Sequence, residues 1–194
     1  MPVCFIMDFP GGTLEQYDQV MELMQLHNEL PEHALFHVVG LNGDDLRVAD
    51  VWESDEAFQA FAQSQIGPHS AAAGIAEPKI TRIPVHRIRD ARDRGDEIAF
   101  LQVVRLPGLD ADGFDEADQR ITGGEAPEGC VFHVNGADGD DHVVVDVWSS
   151  KDIRDRFIED NVRPVMEDAP LTGPPQFDEI EVHNAMGAKV ASTA

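Results

Sequence analysis

The pattern of apolar and polar positions divides the chain into short alternating segments. Residues 3–7 form an apolar run that suits a buried strand, ended by Pro10-Gly11-Gly12. Thr13 with Gln16 predicts a capping-box helix start, and Leu14, Tyr17, Met21 and Met24 make its apolar stripe. Residues 35–39 and 46–52 read as strands joined by Asn42-Gly43-Asp44, which is hairpin chemistry. Ser54 predicts the cap of a second helix, with Asp55 and Glu56 where its dipole favours acids and Phe58, Phe61, Ala62 and Ile66 on its inner face. Residues 79–88 are the last strand of this half.

The same order then returns. Residues 99–105 predict a strand, and Asp110 caps a helix carrying Phe114, Ala117 and Ile121. Residues 131–134 and 142–148 form a hairpin, Ser150 caps a helix with Ile153 and Phe157, and residues 177–183 close the sheet. Residues 36–54 and 132–150 share twelve identities in nineteen positions, an offset of 96 that exposes a tandem duplication. The predicted organisation is a first βαββαβ repeat over 1–89, a charged solvated linker over 90–97, a second repeat over 98–184 and a flexible tail over 185–194. Each repeat is expected to be an α+β unit with an antiparallel sheet and both helices on one face. Val143, Val145 and Val147 lie opposite Val144 and Trp148, so the other sheet face also needs cover. Two sheets facing each other in one chain are expected to build a barrel-like core.

Composition narrows the function classes. The 194 residues include 37 Asp+Glu against 14 Lys+Arg, for a net charge of −23. Such a field repels a nucleic-acid backbone, so no nucleic-acid partner is expected. No apolar run reaches the length of a membrane span and the N-terminus shows no signal pattern, so no membrane partner is expected. Cys4 and Cys130 are too few for a disulfide framework, and a cytoplasmic location is expected. The histidines and cysteines lack metal-ligand spacing, and the glycine pairs lack a dinucleotide fingerprint. Neither a metal nor a cofactor is expected.

The candidate chemistry rests on histidines. If each hairpin turns between Gly43 and Asp44, and between Gly139 and Asp140, then His37 faces Asp50 and His133 faces Asp146. A carboxylate beside an imidazole can make a general base, and the plainer reading of the pair is a structural hydrogen bond in a half-buried sheet. His86 and His183 occupy matching places near the ends of the last strands. Tyr17, the one tyrosine, is replaced by Phe114 in the repeat and is a candidate for an asymmetric site. Trp52, Phe61, Trp148 and Phe157 are expected to wall a substrate pocket.

The stretch Asp50-Val51-Trp52-Glu53-Ser54-Asp55-Glu56-Ala57-Phe58, followed by Phe61 and Ile66-Gly67-Pro68, resembles the second-helix signature of dimeric α/β-barrel proteins. Within these it is similar to the antibiotic-biosynthesis-monooxygenase-like set. The resemblance implies two ferredoxin-like repeats packed as an intramolecular, pseudo-dimeric α/β barrel. The chain would then be a monomer with an internal pseudo-two-fold or a homodimer. It also draws attention to His69, since a histidine near this place acts as acid or base in the polyketide-cyclase-like branch and binds iron in the haem-degrading branch. The haem pattern has Trp where Phe61 stands and Asn near Met7 and Asp8, so this chain departs from it. The implied function is a small-molecule protein acting as a cofactor-independent monooxygenase on an aromatic or polyketide-like substrate. A cyclase or isomerase, and a non-catalytic ligand-binding or stress-related protein, are the alternatives.

Overall fold

The structure, a computed structural model, describes residues 1–191. The first repeat contains β1 (Val3–Phe9), α1 (Leu14–Met24), β2 (Ala34–Asn42), β3 (Asp45–Trp52), α2 (Asp55–Phe61), α3 (Gly67–Ala72) and β4 (Lys79–Asp90). The second contains β5 (Phe100–Leu106), α4 (Ala111–Thr122), β6 (Cys130–Asp138), β7 (Asp141–Trp148), α5 (Lys151–Phe157), α6 (Arg163–Met166) and β8 (Gln176–Met186). The four predicted helix starts are capped. Thr13 and Gln16 form the reciprocal capping box, and Ser54, Asp110 and Ser150 each accept a backbone N–H three residues on. A π-turn follows α2 at Ala62–Ile66 and another follows α5 at Ile158–Val162. No helix among the described residues is long and apolar enough to cross a membrane.

The strands join in the order β1-β3-β2-β8-β5-β7-β6-β4, a closed antiparallel barrel. The chain divides into two units, residues 1–82 with 180–190, and residues 83–179 with 191. This corrects the expectation that each last strand closes the sheet of its own half. Residues 85–90 of β4 pair with β6, and residues 182–186 of β8 pair with β2. Glycine makes this possible. A Cβ at Gly40 would lie 2.3 Å from the Glu181 carbonyl oxygen, and one at Gly136 would lie 2.1 Å from that of Pro84. Both glycines stand beside register shifts where the incoming strand crosses closely.

Two boundary expectations also change. Ala185 and Met186, read as the start of a flexible tail, complete β8 and are buried, because β8 continues along β2. Residues 192–194 of that tail lie outside the described residues. The segment 90–97, read as a solvated linker, begins with the last residue of β4 and is anchored. Ala91 is buried and donates its N–H to the Val131 carbonyl, and Arg94 donates to the carbonyls of Ala126 and Pro127.

Candidate functional site

Each unit carries a His–Asp dyad at one level of its sheet. In the first unit β2 and β3 pair with His37 opposite Asp50, as the hairpin spacing predicts. His37 Nδ1 lies 2.6 Å from Asp50 Oδ1. A carboxylate only accepts, so Nδ1 carries the proton and Nε2 presents its lone pair. The Tyr17 hydroxyl donates to that Nε2 at 2.8 Å, and the Asn184 amide donates to the Tyr17 oxygen at 3.0 Å. Burial raises the Tyr17 phenol well above its ordinary value, and the Asp50 and Asp18 charges add to this, so the hydroxyl stays a donor.

In the second unit β6 and β7 place His133 opposite Asp146, again 2.6 Å from Nδ1 to Oδ1. Phe114 stands where Tyr17 would be, and its ring stacks over His142 at 4.2 Å. The missing hydroxyl is replaced from the sheet. The Asn135 amide donates to His133 Nε2 at 2.7 Å, and His142 Nε2 donates to Asn135 Oδ1 at 3.0 Å. His142 is fully buried, and desolvation, aided by the nearby His86, pushes its pKa down to about 4. The neutral tautomer this chain of donors requires is therefore the one its surroundings favour.

The two units differ at the positions around the dyad. Asp50 is flanked across β1 by Phe5, and His37 is flanked across β8 by Met186. The second unit has Gln102 and Arg89 in those places. Met21, Val39 and Leu46 likewise correspond to Asp118, Asn135 and His142. Phe5 stacks on Phe58 and fills the first unit, leaving a cavity of about 50 Å³ lined by Tyr17, His37, Asp50, Trp52 and Phe61. The second unit holds a cavity of about 310 Å³, within the range of small-molecule sites. His133, Asp146, Gln102, Arg89 and Asp118 line it, with Trp148, Phe157, Leu106, Val144 and Met166 among its apolar walls.

Arg89 and Asp118 form a buried ion pair at this cavity. Arg89 Nη1 donates to Asp118 Oδ1 at 2.9 Å, Nη2 to Oδ2, and Nε to the Gly124 carbonyl. Burial alone would raise the Asp118 carboxyl, but the Arg89 hydrogen bonds and charge overcome it and hold the group below its usual range. The Nε2 of Gln102, only 2% exposed, has no hydrogen-bond partner.

The remaining predicted residues lie elsewhere. His86 pairs with Asp115 at 3.0 Å, and His183 pairs with Asp18 at 2.8 Å. These are matching strand–helix contacts, and neither histidine lines a cavity described above. His69 bonds Gln65 at 3.2 Å and lines neither cavity. His69 does not fit the place of a haem ligand here: it lines neither cavity, and Val165 takes its position in the repeat. Sequence reasoning missed Arg89, Gln102, Asp118, Asn135 and His142. The signal was present as polar residues at positions whose repeat partners are Met, Phe, Val and Leu.

Several solved structures share this fold along nearly the whole chain. A candidate monooxygenase from Fusobacterium nucleatum matches with TM-score 0.77 at 13% identity, covering 98% of this chain and 96% of its own. One from Lactobacillus acidophilus matches with TM-score 0.74 at 12% identity, covering 98% of both. A Listeria monocytogenes ferredoxin-fold protein related to antibiotic biosynthesis monooxygenases matches with TM-score 0.54 at 11% identity, covering 95% of both. The fold is thus that of the antibiotic-biosynthesis-monooxygenase-like barrels, as the sequence resemblance implies. No protein-family model and no curated protein matches the sequence.

Proposed function

We propose that the second unit is a small-molecule site, and that it oxygenates an electron-rich aromatic or polyketide-like substrate without a cofactor. One observation carries this reading. Where the first unit is packed with Phe5 and Met186, the second opens a largely apolar cavity beside an oriented imidazole. Asp146 holds the His133 proton on Nδ1, so Nε2 is the basic atom. An acidic ring C–H or O–H that replaces the Asn135 amide at Nε2 gives up its proton there. Asp146 steadies the imidazolium, and apolar walls keep the anion from water. The anion passes electrons to dioxygen. One oxygen atom enters the substrate, a CH₂ becoming C=O, and the other leaves as water. His37 is the structural member of the pair, because its cavity is too small for such a ligand.

The same reading places the chain in a reducing compartment, supported by two free buried cysteines. The test is oxygen consumption with anthrone, a flat ketone with an acidic methylene. His133→Gln should lower the rate by at least about 100-fold, the usual scale of a general base, while His37→Gln leaves it unchanged. Equal rates for His133→Gln and the parent protein would overturn the proposal. Product formed without oxygen would instead assign a cyclase or isomerase.

A further inference from the structure

Resting on that reading, we infer that Gln102 is the specificity-determining residue of the cavity, donating its Nε2 hydrogen to a carbonyl or oxyanion oxygen of the bound ligand. The argument begins with an unmet hydrogen bond. A buried amide with no partner loses the hydrogen bonds that water gave it, and natural interiors contain few such groups. Gln102 lies in the middle of β5, paired directly with Asp146 of β7, and its side chain lines the cavity.

The repeat sharpens the point. Trp148 also has an unpartnered ring N–H at the cavity, but so does Trp52 in the packed first unit. An indole shared by both units therefore says nothing about a ligand. Gln102 differs, because its partner in the first unit is Phe5, which stacks on Phe58 and fills space. Among the described residues, a buried side-chain amide nitrogen without a partner occurs only where the cavity opens.

Placement then defines the ligand. Gln102, Asp146, His133 and Arg89 form one row across β5, β7, β6 and β4. Neighbouring strands are about 4.8 Å apart, so Gln102 stands about 10 Å from His133 along the row. A flat ligand lying across the strands presents its acidic hydrogen to His133 and an acceptor oxygen, on the far side of its ring system, to Gln102. Arg89 is committed to Asp118 and Gly124, which leaves the Gln102 amide as the neutral donor of the row. The ligand class is thus an aromatic ketone or quinone-like ring system, in preference to a hydrocarbon of the same shape.

The experiment compares 9-fluorenone with fluorene, which share a skeleton and differ in the carbonyl. Binding to the whole protein is followed by titration calorimetry, and the carbonyl stretch of bound fluorenone by infrared difference spectroscopy. The parent protein should prefer fluorenone by about ten-fold, with the stretch moved to lower frequency. Gln102→Leu should bind fluorene at least as well as the parent, lose the preference and leave the stretch unshifted. Gln102→Met, of similar length and flexibility, should do the same if the Leu variant folds poorly. Equal preference in the parent and both variants, or an unmoved stretch in the parent, overturns the role of Gln102. Binding of neither probe overturns the ligand-site reading on which it rests.

Discussion

Arg89 pairs with His133 across β4 and β6, yet its guanidinium grips Asp118 on α4. A strand carried over from the first repeat thus supplies the cation beside the second repeat's dyad. The cavity is lined by an ion pair whose counterparts in the first unit are two methionines.

That pair makes a prediction about stability. Arg89→Met leaves Asp118 buried with Arg87, 3.0 Å away, as its remaining cation, and should cost about 3 kcal/mol. The double variant Arg89→Met/Asp118→Met copies the first unit and should recover most of the loss while abolishing fluorenone binding. Urea unfolding and calorimetry on the three proteins check both parts.

Asp118 also predicts an acid limb. Its folded pKa lies below its unfolded value, so its contribution is present above about pH 4 and is lost as pH falls through the folded pKa. Asp118→Asn should be less stable than the parent at neutral pH and should converge on it as pH falls through the folded pKa. Stability measured against pH tests this, and a constant gap between the curves would count against it.

His142 acts in a higher window. Its folded pKa is about 4, against 6.5 unfolded. Between those values the unfolded chain takes up a proton that the folded chain refuses, so stability falls as pH drops from 6.5 to 4. The full loss is about 3 kcal/mol. His142→Leu, the residue at the matching Leu46, should flatten that part of the curve.

In the first unit Tyr17→Phe strands the buried His37 Nε2 and should cost about 1 to 3 kcal/mol, with no effect on ligand binding in the second unit. Adding Val39→Asn, which copies Asn135, should restore a donor and part of the stability. Thermal unfolding of the single and double variants measures the recovery.

Gly136→Ala should be worse than its small change in volume suggests. The new Cβ meets the Pro84 carbonyl at 2.1 Å, and backbone cannot rotate away as a side chain does. A loss of about 3 kcal/mol is expected. An unchanged melting temperature would mean that the strand crossing is looser than described.

Much of this was written locally. The helix caps, the hairpins and the pairing of His37 with Asp50 depend on neighbours within about twenty residues, and a period of two makes strand register arithmetic. The duplication was visible as identity, and the barrel followed from the resemblance at Trp52-Glu53-Ser54. The last strands were not legible. Nothing in residues 79–90 says that they pair with β6 and not with their own half, because an antiparallel edge accepts either partner. Tyr17, the one tyrosine, reads from sequence as the mark of an asymmetric site in the first repeat. In the fold it satisfies a buried nitrogen that Asn135 satisfies in the repeat.

The sequence alone determined two α+β repeats, their helix starts, their hairpin registers and the two His–Asp pairs, all set by local backbone chemistry and side-chain periodicity. Tertiary structure decided which repeat is open. Arg89 and Gln102 come from strands either side of the β6–β7 hairpin, and only their convergence on one sheet level turns scattered polar residues into a lined cavity. Packing is a property of volumes brought together from distant positions, and no single stretch of chain records it.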